Sequence, residues 1–117
     1  MLLKNKKKLV SIIIRTKNEE KWLEDCILSI YQQSYKNFEI VIVDNNSSDR
    51  TIDICKRHNL KVINVDKFKP GNAINRGIEN SDGSYIVILS AHCIPATKDW
   101  LSNFVKKIKK RNIAGVY

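Results

Sequence analysis

The sequence predicts an α/β fold of three layers, with helices on both faces of a mostly parallel sheet. Two observations carry that expectation. Four short runs rich in β-branched residues (9–14, 39–43, 61–65 and 85–89) alternate with segments whose apolar residues recur at helical spacing. Three of the runs also end abruptly in polar clusters, RTKN, DNNSSD and SAHC. In open α/β sheets, ligands bind in the crevice beyond the carboxyl ends of the strands.

The elements follow in order. Residues 1–8 form a basic lead-in, and 9–14 is a first central strand, LVSIII, continuous in apolar residues as strands buried on both faces are. Residues 19–33 read as a helix, with Trp22, Leu23, Cys26, Ile27 and Ile30 on one face, Asn18 as N-cap and Glu19 and Glu20 in the first turn. The turn 34–37 leads to a second strand at 39–43. Ser47 or Ser48 is placed to cap a helix that runs to about His58, with Ile52 and Cys55 inward and Asn59 as its stop. A short strand at 61–65 and a break at 67–71 precede a helix over 72–80. The Ser81-Asp82-Gly83 turn enters the fourth strand, 85–89. An amphipathic helix over 98–110 carries Trp100, Leu101, Phe104, Val105 and Ile108, and 113–117 starts a further apolar element.

At 117 residues the chain supports one core and one domain. Its longest apolar runs fall far short of the roughly 20 residues a membrane-crossing helix needs. No signal-peptide core follows the lysines near the start, so a cytoplasmic setting is expected. Cys26, Cys55 and Cys93 are odd in number and widely spaced, which suggests neither a disulfide framework nor a zinc knuckle. The net charge of +9 is concentrated at Lys4, Lys6, Lys7 and Lys8 and again at Lys106, Lys107, Lys109, Lys110 and Arg111. Such clusters favour anionic partners, whether phosphorylated ligand, acidic membrane surface or nucleic acid. No nucleic-acid-binding motif accompanies them.

Asp44 is the sharpest single residue. A carboxylate at the end of a buried strand can accept hydrogen bonds from a ribose hydroxyl or a base N–H; it can equally organise its own loop, with Asn45, Asn46, Ser47 and Ser48 as turn residues. The chain has no G-x-G-x-x-G after its first strand and no phosphate loop of the G-x-x-x-x-G-K-S/T type, which disfavours a dinucleotide or P-loop site.

Taken in order, the blocks SIIIRTKNE, FEIVIVDNNSSDRT, KPGNAINRG and GSYIVILSAHCIP resemble the nucleotide-binding half of the family 2 glycosyltransferases, inverting enzymes of the Rossmann-like GT-A fold. The resemblance covers residues 9–117 and implies a donor-binding half whose acceptor half is absent. It implies that Arg15, Thr16, Asn18, Glu19, Asp44, Asn46, Asn72, Asn75, Arg76, Ser90 and Ala91 serve a nucleoside diphosphate-sugar. The Asn72, Asn75 and Arg76 positions match the polar part of a G-x-x-x-A-x-N-x-G element, in which Gly71 and Gly77 give room for close approach.

The chain departs from the family pattern in two places. The family's D-x-D metal motif reads Ser90-Ala91-His92 here, so His92 takes the position of the residue nearest the metal, and Mn²⁺ or Mg²⁺ is the implied cofactor. Arg15 and Lys17 stand where the family commonly has uncharged residues, and cations there would help neutralise a diphosphate. The implied reaction is sugar transfer to an acceptor hydroxyl with inversion, the acceptor being a saccharide or a lipid-linked one at the cytoplasmic membrane face. Its general base is expected beyond Tyr117, and the exposed edge of a partial domain is expected to favour self-association. Two rival readings remain open at this point: a catalytically silent nucleotide-sugar module, and a basic binder of nucleic acid or anionic surfaces.

Overall fold

The computed structural model describes residues 8–66 and 70–108. The lead-in before Lys8, residues 67–69 of the break expected at 67–71, the helix end at 109–110 and the start of a further element at 113–117 lie outside the described residues, and Pro70 and Gly71 of that break belong instead to the helix that follows. Eight elements follow the expected alternation: β1 Val10–Thr16, α1 Leu23–Tyr31, β2 Phe38–Asp44, α2 Thr51–Arg57, β3 Lys61–Asn64, α3 Pro70–Glu79, β4 Tyr85–Ser90 and α4 Trp100–Ile108. The strands form one sheet in the order β3-β2-β1-β4, and every neighbouring pair is parallel.

Alternation along the central strands sends side chains to two separate cores. Ile12, Ile14, Ile40, Ile42, Val87 and Leu89 pack against Leu23, Cys26, Ile27 and Ile30 of α1, Ile54 and Cys55 of α2, and Leu101, Phe104 and Val105 of α4. Ile13, Val41 and Val43 point the other way, onto Val65 and onto Ala73 of α3. Each such aliphatic side chain contributes about 1.5–3 kcal/mol on full burial, and β1 is completely buried from Val10 to Ile14. The three-layer expectation is met.

Gly77 explains how α3 sits so close to the sheet. A Cβ there would lie 2.6 Å from Cγ2 of Ile13 and 3.0 Å from Cγ2 of Val43. The sequence reading of this glycine as room for a helix on a sheet therefore holds.

The helix starts differ from expectation. Asn18 does not cap α1: its φ of 53° is left-handed, whereas an N-cap backbone is extended. The chain instead turns through residues 20–22, with Trp22 N and Leu23 N both donating to Glu19 O, and the helix begins at Leu23. Trp22 consequently leaves the apolar face and is 40% exposed. Neither Ser47 nor Ser48 caps α2. The Asp49 carboxylate does so, accepting from Thr51 N at 2.8 Å and from Thr51 Oγ1 at 2.5 Å. Asn59 ends α2 as expected, at φ 53°, with Leu60 N donating to Cys55 O.

Two polar ties bind the helices together. His58, at the C-terminal end of α2, meets Glu24 of α1 at 3.0 Å, and its ring packs tilted against Tyr31. Gln33 is buried; its Nε2 donates to Thr97 O, and its Oε1 accepts from Leu101 N in the first turn of α4. Sequence patterning gave no sign of Gln33. Among the described residues, no helix is long and apolar enough to cross a membrane.

All three cysteines are free. Burial, with Cys93 nearby, pushes the Cys26 thiol up to about 12. Burial, with the Asp44 carboxylate nearby, pushes Cys55 up to about 11. A buried thiol that stays protonated is a poor nucleophile. Alkylation of the folded chain, followed by peptide mass mapping, should modify half-buried Cys93 first and leave Cys26 and Cys55 untouched until denaturant is added. In urea titrations, Gly77→Ala should lower stability by about 1–3 kcal/mol, because the added methyl overpacks the α3–sheet contact.

Candidate functional site

Strand order decides where a ligand can enter. From β1 the chain passes through α1 to β2 on one side and on to β3; it then returns through α3, across the opposite face, to add β4 on the other side of β1. The reversal falls between β1 and β4, where loops leaving neighbouring strand ends diverge. Arg15 pairs there with Ser90 in parallel register. A crevice of about 190 Å³ opens at this point, lined by Arg15, Thr16, Lys17, Glu19 and Ser90.

Beneath it lies Asp44, 2% exposed. Its Oδ1 accepts from Thr16 Oγ1 and from Ser47 Oγ, each at 2.6 Å, and its Oδ2 accepts from Ser47 N at 2.9 Å. A buried carboxylate needs such donors, and these three fasten the end of β1 to the loop after β2. The loop-organising reading of Asp44 is thus the one its protein contacts bear out.

The two loops are laced together along their length. Asn18 N donates to Ser47 Oγ, and Asn18 Oδ1 accepts from Ser48 N at 2.7 Å and Asp49 N at 3.3 Å. Glu19 N donates to Thr51 Oγ1, Glu20 N to Asp49 Oδ2 and Lys17 Nζ to Asn46 O. Asn18 and Asn46 both hold positive φ, a conformation that asparagine tolerates better than other side-chain-bearing residues. Burial alone would raise the Asp49 carboxyl, but hydrogen bonds from the Thr51 hydroxyl, Thr51 N and Glu20 N outweigh it and hold the group below the usual carboxylate range.

On the β4 side, His92 Nε2 meets Glu19 Oε2 at 2.5 Å, and Trp22 packs against the imidazole with ring centres 5.7 Å apart. His92 N donates to Ser90 Oγ. The pair bridges the loops that follow β4 and β1. Trp22 is a site residue that helical periodicity hid, because it was assigned to the core face. The Ala91 side chain is 1% exposed and packs into the core, so it does not line the crevice as expected. Asn72, Asn75 and Arg76 are exposed on α3 and do not line it either. Asn46 is exposed, its Nδ2 3.5 Å from Asp66 Oδ1.

The implied metal was tested against these donors. His92 and Glu19 supply one nitrogen and one carboxylate, already bonded to each other, and no group of three or more His, Cys, Asp or Glu among the described residues could hold an ion. The described residues hold no preformed cluster for a divalent cation. A larger cavity, about 570 Å³, lies between α1 and α2 and is lined by Glu20, Glu24, Arg50, Asp53, Ile54 and Arg57. Charges of both signs share it, Arg57 pairing with Glu24 at 3.5 Å, and it lies away from the β1/β4 reversal. The smaller crevice is the better candidate on chemical grounds.

Comparison with known proteins fits this geometry. The profile described as Glycosyl transferase family 2 matches residues 11–117. The chain belongs to glycosyltransferase family 2. This family 2 chain is 37% identical over 121 residues to a Methanococcus voltae dolichyl N-acetyl-alpha-D-glucosaminyl phosphate 3-beta-D-2,3-diacetamido-2,3-dideoxy-beta-D-glucuronosyltransferase, an alignment covering 92% of this chain and 37% of that protein. Among solved structures it matches S. aureus TarS 1-349 in complex with UDP-GlcNAc (TM-score 0.77, 26% identity, 86% of this chain and 31% of that one). It also matches the mannosyltransferase PcManGT from Pyrobaculum calidifontis in complex with GDP-Man and Mn²⁺ (TM-score 0.76, 28% identity, 85% and 32%). The chain therefore spans about a third of the length of these relatives. Matching GT-A enzymes agree with the three-layer Rossmann-like architecture described above.

Thr16→Val should cost about 1–3 kcal/mol in chemical denaturation, since it strips a donor from a buried carboxylate. Asp49 gives a sign for acid. Its depressed folded pKa adds stability above the unfolded carboxylate range, and that stability is lost as pH falls through the folded value. Asp49→Asn should therefore flatten part of the acid side of the stability–pH curve while leaving its alkaline side unchanged.

Proposed function

We propose that this chain is the donor-binding part of a glycosyltransferase that moves a sugar from a nucleoside diphosphate-sugar to an acceptor hydroxyl, with inversion at the anomeric carbon. The observation that carries the reading is the polar crevice at the β1/β4 reversal of a family 2 chain, lined by Arg15 and Lys17 and by Thr16, whose hydroxyl donates to the buried Asp44. The donors named for TarS and PcManGT, UDP-GlcNAc and GDP-Man, are both nucleoside diphosphate-sugars, which supports the substrate class.

In this reading the nucleoside lies over Thr16, Asn18, Glu19 and Asn46, and Asp44 meets the base or ribose through lone pairs its protein partners leave free. Arg15 and Ser90 face the diphosphate. Asn72, Asn75 and Arg76 stay on the exposed face of α3, outside this crevice, and Ala91 contributes backbone only. The acceptor oxygen forms its bond to the anomeric carbon as the bond to the diphosphate oxygen breaks, and the electron pair leaves with the nucleoside diphosphate. The hydroxyl proton passes to a carboxylate outside the described residues. The acceptor is a saccharide or lipid-linked hydroxyl, and exposed Lys106 and Lys107 on α4 suit work beside an anionic membrane face.

Calorimetric titration with mono- and diphosphates of uridine, guanosine and thymidine tests the reading. One base should be preferred, its diphosphate binding at least about tenfold tighter than its monophosphate, a difference of about 1.4 kcal/mol. Asp44→Asn should weaken that binding. Base-blind binding that falls steeply with salt would instead make the chain a general binder of anionic surfaces.

A further inference from the structure

The crevice has the charge of an anion site. Arg15 and Lys17 put two cationic heads on its lining, against the single carboxylate of Glu19. A metal site built on paired aspartates would carry the opposite sign. Asp44, the carboxylate beneath the floor, is 2% exposed, and both its oxygens already accept bonds from Thr16 and Ser47.

The donors on the β4 side are engaged as well. His92 Nε2 and Glu19 Oε2 lie 2.5 Å apart in a hydrogen bond, with Trp22 against the ring. A divalent ion on this pair would break that hydrogen bond and open the bridge between the loops after β1 and β4. It would also sit in a crevice lined by two cationic residues. Lys17 also lines the crevice, and its Nζ donates to Asn46 O at 3.1 Å. The Arg15 fork is suited to two phosphate oxygens at once, and Lys17 to one as a point charge.

We propose that Arg15 and Lys17 neutralise the donor's diphosphate in this chain in place of a divalent cation, so that donor binding is independent of metal. A sugar-linked diphosphate carries one negative charge on each phosphate, and the two side chains match them. The departing diphosphate gains a further negative charge as its bond to the sugar breaks, and the same two cations face it. This inference rests on reading the crevice as the donor site.

The test is equilibrium binding of uridine diphosphate, guanosine diphosphate and inorganic pyrophosphate to this chain, first in EDTA and then with Mn²⁺ or Mg²⁺. Affinity in EDTA should stay within about twofold of that with metal, and Arg15→Gln and Lys17→Gln should each weaken diphosphate binding by about tenfold. Lys56→Gln, on the exposed face of α2, should leave it unchanged, and circular dichroism checks that each variant is folded. Loss of more than about tenfold in EDTA, or a metal response that His92→Ala abolishes, would overturn the inference and leave the donor reading standing. Pyrophosphate binding without any gain from a nucleoside would support the cationic cradle and overturn the donor reading. No binding of any of the three, with or without metal, would overturn both.

Discussion

The site is organised around a buried charge. Asp44 sits at the end of a central strand with almost no access to water, and an unpartnered carboxylate there would cost far more than a small domain can tolerate. The fold answers with donors from two directions: the Thr16 hydroxyl on the neighbouring strand and the Ser47 hydroxyl and amide three residues on. Meeting that demand fixes the height of Thr16 at the crevice floor and the path of the chain after β2. Ser47, so placed, accepts from Asn18 N, and Asn18 in turn holds Ser48 and Asp49. The loop that carries Lys17 and Glu19 is thereby held by the same carboxylate that closes the strand beneath it.

Topology supplies the opening. Because α3 crosses the face opposite α1 and α2, β4 joins the sheet beside β1, and the loops beyond these two strands separate. Helix packing keeps that arrangement rigid: Gly77 lets α3 lie against Ile13 and Val43, and Gln33 pins the start of α4 to the end of α1. The His92–Glu19 bridge then spans the gap at its outer rim. A rigid frame with a polar gap of one net sign suits a ligand whose charge is fixed, as a diphosphate's is.

Much of this was legible in the chain itself. The strands announced themselves through β-branched runs, and their polar termini marked the functional edge, because both signals are local and periodic. Helix starts were less legible. Asn18 before two glutamates has the composition of an N-cap, yet its side chain is taken by a loop 30 residues away. Trp22 fits a helical stripe but lies in the turn ahead of the helix and faces His92, whose tie to Glu19 spans 73 positions. Gln33, the last residue of the helix expected over 19–33, is buried by partners at 97 and 101. In each case a hydrogen bond of high sequence separation overrode a local preference, and no pattern within one segment encodes such a bond. For His92 the family pattern suggested a metal ligand, whereas its surroundings supply a carboxylate partner and neighbouring cations.

The central claim is that a nucleoside diphosphate occupies the gap between the ends of β1 and β4. Amide chemical-shift mapping of the isotope-labelled chain with a saturating nucleoside diphosphate tests it most directly. Perturbations should cluster at residues 15–19, 44–47 and 90–92. Perturbations centred instead on the α1–α2 groove around Glu24, Arg50 and Arg57, with those three stretches unmoved, would contradict it.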